Sequence, residues 1–128
     1  MKKISFMACL LILGMGHSYA QSIANTAWKA YFDGVNDTLT LHVGKDSSYV
    51  TNSGGDVVVR STVKVSGDTL AITDVEGQYA CVGVTGTYKY SINATDNLVM
   101  ALVSDGCDGR ARNLNGLPWI RIKEPAKK

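Results

Sequence analysis

The sequence predicts an all-β fold, an eight-stranded antiparallel up-and-down β-barrel, and three observations carry that expectation. Apolar and polar residues alternate with a period of two along most of the chain. Turn-forming groups such as Asp33-Gly34, Ser53-Gly54-Gly55-Asp56 and Ser66-Gly67-Asp68 interrupt those runs at short intervals. No long window offers the i, i+3, i+4, i+7 spacing of an amphipathic helix. A sheet of eight strands with one apolar face curls until its edges meet, and closure removes the unpaired edges.

The strands follow in order. The first, 26–32, turns Trp28, Ala30 and Phe32 to one face and stops at Asp33-Gly34. The second, 38–43, alternates Leu39, Leu41 and Val43 with Thr38, Thr40 and His42. A short third strand, 48–52, follows Gly44-Lys45-Asp46; Tyr49 and Val50 compete for its inner face, which stays undecided. The fourth, 57–65, sets Val57, Val59, Ser61, Val63 and Val65 against Arg60, Thr62 and Lys64. Ser66-Gly67-Asp68 forms a hairpin turn. The fifth, 69–74, buries Leu70 and Ile72, and a longer loop, 75–82, carries Cys81. In the sixth, 84–92, Val84, Gly86, Tyr88, Tyr90 and Ile92 share a face. Asn93-Ala94-Thr95-Asp96 turns into the seventh, 97–104, with Leu98, Met100 and Leu102 inward. The loop 105–116, with a helical turn expected at 107–114, leads to the last strand, 117–122.

The N-terminal residues have a different character. Lys2 and Lys3 precede an apolar run, 4–15, and Ser18 and Ala20 supply small residues where a signal peptidase cuts. Residues 1–20 are therefore read as a secretory signal peptide cleaved after Ala20. The run is shorter than the roughly 17 to 25 residues needed to span a bilayer. Cys9 lies inside that run, with too little apolar sequence before it for a lipoprotein site. Residues 21–128 then form one small domain, expected in the bacterial periplasm or outside the cell, with no transmembrane segment in the mature protein. Without Lys2 and Lys3 the 13 basic residues fall to 11, equal to the 11 acidic ones. That balance gives no electrostatic footprint for nucleic acid.

Cleavage also discards Cys9 and leaves Cys81 and Cys107, an even pair in an oxidising setting. In an up-and-down barrel their two loops open at the same rim. A disulfide is expected, closing a loop of about 26 residues worth roughly 3.5 kcal/mol in the chain-entropy account. Two thiols and one mature histidine, His42, are too few for a metal centre. His42 faces outward beside Thr38 and Thr40 without a partner for general acid–base work, so no catalytic residue and no cofactor is expected. Asp105 and Arg110 either brace the seventh loop as an ion pair or stand as solvated rim charges.

Trp28 on the first strand and Arg121 on the last resemble the tryptophan and crossing basic side chain of the lipocalin-like (calycin) superfamily. Thr26 stands where that superfamily usually has glycine. The second half, from Thr69-Leu70-Ala71-Ile72-Thr73-Asp74 through Cys81, Gly86-Thr87-Tyr88 and Asp105-Gly106-Cys107-Asp108-Gly109-Arg110 to Trp119, resembles secreted bacterial lipocalin-like domains. The resemblance implies that Trp28 and Arg121 meet at the closed end of the barrel. It also implies binding of a small apolar molecule, on fold analogy.

The inward residues grade along the barrel. They are bulky at one end, Trp28, Leu70, Tyr90 and Ile92, and include Ala30, Ser61 and Gly86 toward the rim, flanked by Phe32, Tyr88, Met100 and Leu102. Side-chain size decides whether such a barrel is filled or holds a ligand. The expectation is a shallow apolar cavity using Tyr88 and Ser61 as polar contacts, and hence an exported binding protein. A filled barrel acting as an inhibitor or subunit is a second reading, and a cyclase or isomerase that shapes its substrate is a third. Val99, Ala101, Val103, Ile120 and Ile122 face outward, with Tyr31 nearby, an apolar patch that predicts a homodimer or a protein partner.

Overall fold

Eight strands follow one another in chain order around a closed barrel, in a computed structural model that describes residues 22–123. The expected signal peptide, residues 1–20, lies outside the described residues. The elements are β1 (Thr26–Phe32), β2 (Asp37–Val43), β3 (Ser47–Thr51), β4 (Val57–Ser66), β5 (Thr69–Glu76), β6 (Thr85–Ile92), β7 (Asn97–Asp105), α1 (Asp108–Leu114) and β8 (Pro118–Ile122). Each strand pairs antiparallel with the next, and β8 returns to β1. The loops after β1, β3, β5 and β7 therefore share one rim, and those after β2, β4 and β6 share the base.

The base is solid because large side chains converge there. Trp28 is fully buried and stands opposite Arg121 across the β1–β8 ladder. The Arg121 guanidinium carbon lies 4.4 Å from the centre of the Trp28 ring, within cation–π range, and Arg121 Nε is 2.8 Å from Asp96 Oδ2. The indole Nε1 of Trp28 donates to Thr26 Oγ1 at 2.7 Å, and that hydroxyl in turn donates to the Ile23 carbonyl. Ile23 is 1% exposed and joins Val43, Leu70, Tyr90 and Leu98 in the core. Sequence periodicity does not reveal Ile23, which lies before the first strand and closes the base by tertiary packing.

Several side chains depart from simple alternation. On β3, Ser48 and Val50 turn inward, whereas Tyr49 faces out, stacked on His42 at 4.3 Å with the Arg60 guanidinium 5.8 Å from its ring. Val57 and Val65, expected inward, lie near the ends of β4 and are exposed. Val58 is buried instead, at 2% exposure, where the loop after β5 crosses it and Tyr79 N–H donates to the Val58 carbonyl at 3.0 Å. Gly77 makes that crossing possible: its φ is +129°, and a Cβ would sit 2.2 Å from the Val58 oxygen. Leu102, also expected inward, is exposed. The β6–β7 register shifts between Thr87 and Tyr88, a bulge that bends the end of β7 and brings Asp105 opposite Gly86. On the outside, Val103, Ile120 and Tyr31 are more than half exposed, Ala101 is exposed, and Val99 and Ile122 are half-buried.

Removing the plug tests its weight in the fold. Ile23→Ala should destabilise the protein by about 2–4 kcal/mol through lost burial and a residual cavity, read as a lower urea midpoint with an unchanged slope.

Candidate functional site

Above the Trp28 layer the barrel interior opens into a cavity of about 560 Å³ that reaches the rim. Its walls are mainly apolar. Phe32, Leu39, Leu41, Val50, Val59, Ile72, Met100 and Trp119 line it, and Tyr79, Val35 and Leu114 contribute from the loops and α1. Phe32 meets Trp119 edge to face, with ring centres 5.4 Å apart. These are the inward positions of successive strands, so period-two patterning builds the walls directly.

One side of the cavity is polar and tightly tied. Asp105 accepts two hydrogen bonds from Arg110, Nε to Oδ2 and Nη2 to Oδ1, both at 2.7 Å. It also accepts from the Tyr88 hydroxyl and from the Cys107 N–H at 2.8 Å. Asp74 is 4% exposed and accepts from Ser61 Oγ at 2.8 Å and from the Cys81 N–H at 2.9 Å. Arg110 joins the two carboxylates: its Nη1 lies 3.0 Å from Asp74 Oδ2, an ion-pair contact outside hydrogen-bond alignment. Nη2 also donates to the Val84 carbonyl at 2.9 Å. The two loops are bridged covalently by the Cys81–Cys107 disulfide, with Cα atoms 6.2 Å apart. Each carboxylate thus holds the backbone of one bridged cysteine.

The protonation states follow from these contacts. Burial raises the Asp105 pKa, but hydrogen bonds from Arg110, Tyr88 and Cys107 and the Arg110 charge outweigh it and hold the carboxyl below its ordinary value. Burial, and then the hydrogen bond to and the charge of Asp105, raise the Tyr88 pKa, so the phenol stays a neutral donor. For Arg110, burial acts downward, yet the hydrogen bonds to Asp105 and the charges of Asp74 and Asp105 prevail and raise its pKa.

No family profile, characterised protein or solved structure matches the chain. Its chemistry is therefore read from its own geometry.

Of the residues assigned to ligand contact from the sequence, Phe32, Ser61 and Met100 line the cavity, whereas Ala30, Gly86, Tyr88 and Leu102 do not. Ala30 is packed in the core. Tyr88 is sealed at 0% exposure, with its hydroxyl committed to Asp105. Gly86 does not leave free volume: a Cβ there would lie 2.3 Å from Asp105 Oδ2 and 3.0 Å from Arg110 Nη2, so the glycine makes room for the ion pair. Asp105 and Arg110 form the bracing pair rather than solvated rim charges. Asp74 is the residue that sequence reasoning passed over. The alternation Leu70, Ile72, Asp74 already turned it inward.

Among the described residues there is no cluster of three His, Cys, Asp or Glu side chains able to hold a metal, and the buried acids are committed to Arg110.

Because the folded-state pKa of Asp105 is depressed, its contribution to stability is present above the unfolded value near about 4. It is lost as the pH falls through the lower folded value. Asp105→Asn should therefore destabilise the protein at pH 7 by about 3–5 kcal/mol, the cost of breaking a buried pair. The same variant should flatten the acid limb of a stability–pH profile measured by urea unfolding.

Proposed function

We propose that this chain is an exported, lipocalin-like binding protein of the calycin type that holds a small, largely apolar molecule in its barrel cavity, in the periplasm or outside the cell. The observation that carries the reading is the cavity of about 560 Å³ with mainly apolar walls. Small-molecule sites commonly occupy about 300–1,000 Å³ and combine apolar lining with a few placed polar groups. The cation–π pair of Trp28 and Arg121 at the base supports the family likeness. Rigidity of the rim supports the function, because a preformed mouth loses little freedom on binding. The disulfide and the Asp74–Arg110–Asp105 bridge supply that rigidity.

Filling the cavity tests the reading. Val50 and Val59 line it as paired neighbours on β3 and β4. Val50→Trp and Val59→Trp should each weaken binding of the neutral fluorophore N-phenyl-1-naphthylamine by about tenfold or more, with circular dichroism unchanged. Equal binding by parent and filled variants would place the activity on the outer surface, as expected of a filled barrel that acts through protein contacts.

A further inference from the structure

Trp119 lines the cavity and is 1% exposed, yet its indole Nε1 is buried without a hydrogen-bond partner among the described residues. Trp28 makes the contrast plain, since its Nε1 is satisfied by Thr26. Native interiors rarely leave such a donor unmade, and a specific exception calls for an explanation. Arg110 Nη1, on the same cavity, also lacks an aligned hydrogen bond, but it is taken up by its ion-pair contact with Asp74 Oδ2 at 3.0 Å. The indole N–H is the donor left over, and an apolar site that carries a spare donor is matched by a ligand that brings an acceptor.

The charges around the cavity say which acceptor. Asp74 and Asp108 line it together with the single cation Arg110, and Arg110 is already bound to Asp74 and to Asp105. Nearby at the same rim stand Asp33 and Asp37 at the ends of the β1–β2 loop, Asp56 beside β4, and Glu76 at the end of β5. Glu76 is paired with Arg60. Among the residues that line the cavity, a carboxylate or phosphate meets an excess of like charge and one cation that is already paired; Arg112, the exposed cation of α1, lies outside that lining. A neutral oxygen meets no such penalty and still offers the unpartnered indole N–H an acceptor.

Resting on the binding reading above, we propose that the ligand's polar end is a neutral hydrogen-bond acceptor, a ketone, ester, lactone or amide carbonyl, received by the Trp119 indole N–H.

Three probes built on one naphthalene ring separate the possibilities: 2-acetylnaphthalene, 2-ethylnaphthalene, whose arm carries no oxygen, and 2-naphthoate. By isothermal titration of the disulfide-bonded protein, the ketone should bind about tenfold tighter than the ethyl compound, the size expected of one hydrogen bond in a dry site, and tighter than the carboxylate. In Trp119→Phe the advantage of the ketone over the ethyl compound should fall to near unity. The chain has two tryptophans, so their indole N–H resonances are readily told apart, and that of Trp119 should move downfield with the ketone but not with the ethyl compound. This readout holds even if the variant is unstable. Ketone and ethyl compound binding alike, an unmoved Trp119 resonance, or tighter binding of naphthoate would each overturn the carbonyl inference while leaving a binding cavity in place. If none of the three binds, the binding reading falls as well.

Discussion

One guanidinium between two buried carboxylates holds the open end of this barrel together. Asp74 comes from β5, Asp105 from β7 and Arg110 from α1, while Ser61 on β4 and Tyr88 on β6 donate to the acids. Burying three charges is expensive unless every lone pair and proton finds a partner. Here each carboxylate oxygen accepts at least one hydrogen bond, and two of the donors are the backbone N–H groups of the bridged cysteines. The disulfide and the ion bridge thus fix the same two loops by independent means. Gly86 follows from this arrangement, since any side chain there would occupy the place of the Asp105 carboxylate.

The barrel was legible in the sequence because its determinants are local. Alternation marks the strands, glycine and aspartate mark the turns, and eight strands with one apolar face close on themselves. The facing of β3 was not legible, because Tyr49 is turned outward by His42 and Arg60 on neighbouring strands. Leu102 was misjudged too: it keeps the pairing opposite Tyr88 that alternation predicts, yet it stands exposed next to the β6–β7 register shift, which leaves no mark in its own stretch of sequence. Gly86 shows how composition misleads, since a small residue was read as empty volume when a neighbour's charge fills it. Parity did turn Asp74 inward, but the Arg110 that makes its burial tolerable lies on a different element.

The polar bridge and the apolar cavity divide the interior between them. Charge is confined to the wall formed by β5, β7 and α1, and the opposite wall, from Phe32 through Leu39 and Leu41 to Val50, is hydrocarbon. On the proposed binding role, a molecule seated between them would meet a rigid polar side and a side that adapts by side-chain packing. Such division would favour orientation over tight shape selection, because the Trp119 N–H beside Phe32 gives a polar end one place to go while the apolar end has several.

The barrel wall is not equally secured around its circumference. β8 pairs with β1 only over Ala27–Lys29 and with β7 only over Asn97–Val99, so it has the shortest ladders in the sheet. Local opening in a folded protein begins where few backbone bonds must break, and by that measure β8 is the seam. Trp119 sits on this seam and also lines the cavity. If the cavity binds a molecule as proposed, one touching Trp119 would act as a clasp on the weakest strand, and amide exchange along β8 would slow as the cavity fills.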